Sequence, residues 1–182
     1  MKLTTKNLVY LAMYIALAII LDLIKEMVPI FEMPMGGSVN IAAIPIVLCS
    51  FHLGCLRGSL AGLCWYLISS LLGLNYPPVS FMECLLDYLL PSIILGCASF
   101  LWWQKKDIWR MQFGILIVNI IRMISIIIAG AYYWFPESSS AGSAAAWLNS
   151  LSYNSPYLLA TTLLLMVIVP LIYKRIQKYL QK

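Results

Sequence analysis

Polar positions along this chain are so sparse that they act as punctuation between apolar runs. A membrane-spanning helix needs about 20 predominantly apolar residues. Six stretches meet or approach that length: Asn7–Met27, Val39–Leu53, Leu56–Leu74, Phe81–Trp103, Trp109–Phe135 and Leu148–Tyr173. The second is short for a span. The pattern predicts an all-α integral membrane protein, six transmembrane helices in a single membrane domain over residues 1–182. No internal repeat is visible, which disfavours the inverted-repeat transporter folds.

Composition agrees with the pattern. Hydrophobic residues make up 62% of the chain and charged residues 10%, with a mean hydropathy of +0.88. A soluble domain of this size cannot bury so much apolar surface. The first apolar run has no small-residue cleavage site behind it, so it is not a signal peptide alone. Charge gives orientation. With the N-terminus in the cytoplasm, Lys2, Lys6, Arg57, Lys105, Lys106, Arg110, Lys174, Arg175, Lys178 and Lys182 all fall inside, leaving only Lys25 and Arg122. Both termini are then cytoplasmic. Three loops face outward, Pro29–Ser38, Asn75–Ser80 and Pro136–Ala146. They are rich in Gly, Pro and Ser, which suits tight turns and close approach to a ligand. The net charge of +5 concerns membrane orientation, and no nucleic-acid partner is expected.

Catalytic chemistry finds little footing. The five Cys are scattered through apolar segments without a CxxC, which argues against disulfides and zinc; they read as small hydrophobes. His52 is the single His. Without a His cluster, a GxSxG or a Walker motif, no catalytic residue, metal or cofactor is expected, and ATP coupling cannot reside in this chain. A membrane enzyme using Asp87 and Glu83 is the rival from another class, and an assembly subunit without a ligand is a third.

The polar residues inside the apolar runs are the candidates for function. Asp87, followed by Tyr88, is an intramembrane carboxylate and a functional candidate by default. The plainer reading is an ion pair with Arg122. Arg122 itself is read as glue between helices, needing a carboxylate partner in Asp87 or, less readily, Asp22. Tyr132, Tyr133 and Trp134 offer either a stacking wall for a flat heteroaromatic ligand or a cation, or interfacial anchors. In the segment Trp147–Tyr157, helical spacing puts Ser150, Asn154 and Tyr157 on one face, and Tyr153 packs beside it. Ala12 and Ala16 form a small-xxx-small pair that allows close approach of another helix.

Five stations resemble the S-components of energy-coupling factor (ECF) vitamin transporters, most closely the thiamine-specific ThiT/YuaJ branch. They are residues 33–46 (Met-Pro-Met-Gly-Gly-Ser-Val-Asn-Ile-Ala-Ala-Ile-Pro-Ile), residues 51–58 (Phe-His-Leu-Gly-Cys-Leu-Arg-Gly), Leu85-Leu-Asp-Tyr88, Arg122 through Ala129-Gly130, and Ser150-Leu-Ser-Tyr-Asn154. The resemblance covers nearly the whole chain. It implies the ECF S-component fold, with an outward pocket roofed by the first loop and lined by helices 4, 5 and 6. It implies a non-enzymatic protein in the cell membrane of a prokaryote. Its partners would be a transmembrane coupling subunit and two cytoplasmic ATPase subunits, with delivery by toppling in the bilayer. Ala12 and Ala16 match the family's Ala-x-x-x-Ala docking motif.

For the pocket, the resemblance carries over Asp87, Tyr88, Gly130, Trp134 and Asn154. Tyr133 and Tyr153 stand beside them, and Gly37 and Asn40 belong to the roof region. Two positions depart from the thiamine binders: Ile126 stands where they carry His, and Asn149 where they carry Tyr. The Trp often found in their first loop is also missing, with Gly37 in that region. The expected ligand is therefore thiamine or a related heteroaromatic, such as a hydroxymethylpyrimidine precursor or a pyridoxine-type vitamer. Asn149 is expected to be a deciding position.

Overall fold

Among the described residues six helices form, four long and two short. The structure, a computed structural model, describes residues 4–33, 37–102, 107–134 and 140–180. The helices are α1 (Thr5–Met27), α2 (Ala43–Leu53), α3 (Cys55–Leu71), α4 (Phe81–Leu101), α5 (Ile108–Trp134) and α6 (Ala144–Leu180). Of these, α1, α4, α5 and α6 are long and apolar enough to cross a membrane. The positions Lys2, Trp103, Lys105, Lys106, Phe135, Lys182 and part of the third expected loop lie outside the described residues.

The boundaries differ from the sequence expectation for local reasons. The second helix starts at Ala43 rather than Val39, because residues 38–42 spend their backbone groups elsewhere. The Val39 N–H donates to Phe31 O at 2.8 Å and the Asn40 N–H to Thr161 Oγ1 at 3.0 Å. The Asn40 side chain then accepts from Ala43 N at 3.1 Å and starts the helix. The third helix ends at Leu71, before Gly73, whose φ of 74° breaks the turn. The last helix begins at Ala144 and runs on to Leu180, since nothing obliges a helix to stop where its apolar stretch does. It contains Pro156 and Pro170. A proline frees the carbonyl four residues earlier; for Pro170 that is Met166, whose oxygen accepts from Gln112 Nε2 at 3.4 Å.

The bundle has two storeys. In the lower one α2 is the axis: nine of its eleven residues are buried. At about 1.5 Å per residue it is roughly 16 Å long, far short of a membrane. It is apolar all round, as a helix inside a core must be. Around it pack Leu11, Tyr14 and Ala18 of α1, Met111, Ile115 and Val118 of α5, and Leu165, Val169 and Tyr173 of α6. The upper storey, beyond the start of α2, is a cavity rather than a core.

Helices α3 and α4 cross at backbone contact. A Cβ on Gly58 would collide with Gly96 O, and one on Gly62 would collide with Ser92 O. The Ser59 hydroxyl donates to Ile93 O at 3.0 Å within the same seam. Because the obstacle is backbone, relaxation is costly. Gly62→Val is expected to destabilise the fold by about 1–3 kcal/mol, read as a lowered thermal midpoint in detergent, whereas Gly54→Ala beside open space should be limited to the strain of its positive φ.

Candidate functional site

Two π-helical turns organise the upper storey. The first spans Cys84–Leu89 in α4 and holds Asp87 and Tyr88. Its register is visible in the Leu90 N–H, which bonds Leu85 O, five residues back. In that register Leu86 O would need the N–H of residue 91, but residue 91 is proline and has none. The hydroxyl of Ser125 on α5 donates to Leu86 O instead, at 2.5 Å. The second π turn spans Gly130–Trp134 at the end of α5. Here the Ser150 hydroxyl of α6 donates to Ile127 O at 2.8 Å. Gly130 makes room for it, since a Cβ there would collide with Ser150 Oγ. Each π turn is thus held open by a serine from a neighbouring helix. Such turns are enriched at functional sites, and here they re-aim the two residues that meet: Trp134 Nε1–H donates to Asp87 Oδ2 at 3.0 Å.

This pair stands in the wall of a cavity of about 540 Å³, within the range of small-molecule sites. Aromatic rings dominate one side. Tyr66 and Tyr88 stack at 5.8 Å and 15°, and Tyr76 meets Trp134 edge-on at 6.2 Å. Tyr153 and Tyr157 cross at 6.3 Å on α6. Among the described lining residues, three carboxylates (Asp22, Glu26, Asp87) face two cations (Lys25, Arg122). The formal balance is one negative charge inside an aromatic box. Such a site favours a flat monocation through both Coulomb and cation–π attraction.

Polar chains hold the wall in place. Asn154 Nδ2 donates to Ser150 O at 2.9 Å and to Ser150 Oγ at 3.2 Å. Its Oδ1 accepts from the Tyr157 hydroxyl at 2.6 Å. Both amide donors are therefore engaged within α6, and Asn154 acts mainly by holding Tyr157. The Tyr157 ring lies against Gly37, whose φ is 73° and which has no room for a Cβ. Loop 1 is seated on the cavity by that contact.

The model of the family described as Thiamine transporter protein (Thia_YuaJ) matches residues 8–181. The chain belongs to this family. "Thiamine transporter ThiT" of Bacillus subtilis is 29% identical over 177 residues, covering 92% of this chain and 90% of that protein. Among solved structures, ThiT from Listeria monocytogenes superposes with a TM-score of 0.72 at 23% identity, covering 94% of this chain and 95% of the other. The S component of a bacterial ECF transporter superposes with a TM-score of 0.69 at 19% identity, covering 97% and 98%. The Thia_YuaJ chain therefore shares the fold of both.

Of the residues expected from sequence, Asp87, Tyr88, Trp134, Tyr153, Asn154, Gly37 and Asn40 line the Thia_YuaJ cavity. Gly130, Tyr133 and Asn149 do not. Gly130 lies behind the wall, under Ser150. Tyr133 is half-buried in the same π turn as Trp134, outside the cavity lining. Asn149 is exposed; five residues from Asn154, it points about 140° away around the helix. Ile126 does line the cavity.

Two further expectations are corrected. Arg122, 5% exposed, has no carboxylate within ion-pair distance among the described residues. Its Nη1 donates to Asn119 Oδ1 at 2.9 Å, one turn back on α5. The Asp87 carboxylate is turned to Trp134, and Asp22 pairs with Lys25. Glu83 is no partner for Asp87 in acid–base chemistry. Its Oε2 accepts from Val79 N at 2.7 Å and Ser80 N at 3.2 Å, closing a capping box at the start of α4.

Sequence reasoning missed Tyr66, Trp65, Ser69 and Thr161 as wall residues, and gave Tyr157 a face but no role. One signal was available: Pro91, four residues after Asp87, announces a disturbed helix at the carboxylate. Gly130→Ala tests the indirect role of a residue behind the wall. It should displace Ser150, close the second π turn and move Trp134, weakening ligand binding by about 1–2 kcal/mol in a calorimetric titration.

Proposed function

We propose that this protein captures thiamine for uptake, as the substrate-binding S-component of an ECF-type importer. The observation that carries the reading is the Asp87–Trp134 pair in an aromatic cavity with one surplus negative charge. Thiamine offers the matching chemistry: a permanently cationic thiazolium and a flat aminopyrimidine. The Thia_YuaJ membership and the name of the B. subtilis relative support the same ligand.

The protein acts as a binder and carries out no reaction. It crosses the plasma membrane of a prokaryote six times, with both termini inside and the cavity opening outward. Its partners are a transmembrane coupling subunit, met by the face of Ala12 and Ala16, and two ATPases that supply the energy. Both alanines are exposed on α1. Loop 1, seated on Tyr157 at Gly37, roofs the ligand. A second reading within the class, a pyridoxine-type vitamer or hydroxymethylpyrimidine, is favoured by Ile126, which gives the wall an apolar patch. Cells lacking their own thiamine uptake decide between them. Expression with a coupling module should restore labelled thiamine accumulation, and pyridoxine in excess should leave it unchanged. Restored uptake of pyridoxine alone contradicts the thiamine reading.

A further inference from the structure

Asp22 enters the ligand reading above only through the cavity's charge count, yet it is 2% exposed and fully engaged. Its Oδ2 accepts from Trp65 Nε1 at 3.0 Å and Ser69 Oγ at 2.8 Å, both on α3. Its Oδ1 pairs with Lys25 Nζ at 3.0 Å, and Lys25 also meets Glu26 at 3.2 Å. All five residues line the cavity. One buried carboxylate therefore sews α1 to α3 across the cavity wall.

Elsewhere α1 packs through Leu11, Tyr14 and Ala18 and turns most of its surface outward. In its most apolar stretch 17% of the residues are buried, against 28% to 50% in the other three long helices. A second side-chain hydrogen bond from α1 to the bundle joins the Tyr14 hydroxyl to His52 Nδ1 at 3.1 Å, two turns from Asp22 toward the opposite end, where Tyr10 also meets the His52 ring. The exposed Ala12 and Ala16 lie on the same rod; Ala16 is six residues from Asp22, roughly 9 Å along the axis. A helix moves as a stiff element, so displacing its outer face displaces its cavity end. A buried carboxylate stripped of donors bears its full desolvation cost, so the contact is either made or broken, with little between.

We infer that Asp22 is a positioning residue that latches α1 to the cavity wall, so that a partner displacing α1 opens the cavity and releases the ligand. The inference rests on the importer reading above. The latch itself is Trp65 and Ser69 on Asp22; Lys25 neutralises the remaining charge.

The test is the dissociation rate of thiamine from the purified protein, followed by stopped-flow Trp fluorescence with Trp134 retained. Trp65→Phe and Ser69→Ala should each speed dissociation about 10-fold, and Asp22→Ala, which removes the acceptor of both, at least as much. Association rates of Trp65→Phe and Ser69→Ala, which keep the cavity's charge, should stay within about 2-fold of the wild type. The double variant Trp65→Phe/Asp22→Ala should dissociate no faster than Asp22→Ala alone, because both break one contact. Lowered thermal midpoints with unchanged dissociation rates overturn the latch. If the folded wild type binds no thiamine, the importer reading fails instead. The latch is then read from spin labels at the exposed Met13 of α1 and Leu67 of α3. Asp22→Ala should broaden their distance distribution, and an unchanged distribution overturns it.

Discussion

Asp87→Ala is expected to raise the dissociation constant for thiamine by about 100-fold or more. Two effects combine. The cavity loses its charge surplus, since Asp22 and the half-exposed Glu26 both pair with Lys25. Trp134 loses the acceptor for its Nε1–H and with it the orientation of its ring. Asp87→Asn separates the two effects, because an amide oxygen can still accept from the indole. It should cost about 10-fold, less than Ala, in a calorimetric titration. If Asn binds thiamine as tightly as the wild type, the ligand's charge is met elsewhere. The enzyme alternative predicts otherwise: binding intact and turnover lost.

The second large effect concerns α1. Ala12→Trp and Ala16→Trp should each reduce transport more than about 10-fold, while leaving thiamine affinity within about 2-fold. Both residues are exposed, and neither lines the cavity. An indole on that face holds a facing helix away by the width of a ring, whereas the small methyl permits backbone-close packing. Uptake by cells carrying the coupling module, paired with titration of the purified variant, checks this. Transport that survives both substitutions removes the docking role of this face.

Much of this architecture was legible in the chain. Long apolar runs forced helices, and Asp87 stood out because a carboxylate within such a run needs a reason. The rest depended on what no periodicity records. Asn149 and Asn154 look equivalent in sequence, but the helical turn sends one outward and the other into the wall. Glu83 looked like a partner for Asp87 until the local sequence Ser80-Phe-Met-Glu83 used it as a cap. The π turns are tertiary in origin: Pro91 leaves a carbonyl free, but Ser125 on another helix satisfies it. Arg122 drew the wrong partner because its nearest acceptor was an amide three residues away rather than a carboxylate on another helix.

Direct binding tests the central claim most closely. Thiamine titrated into the detergent-purified protein should quench Trp fluorescence saturably, with a dissociation constant at or below about 1 µM, and Trp134→Phe should remove most of the signal. A wild-type protein whose fluorescence and heat are both unmoved by thiamine up to about 1 mM would contradict the account.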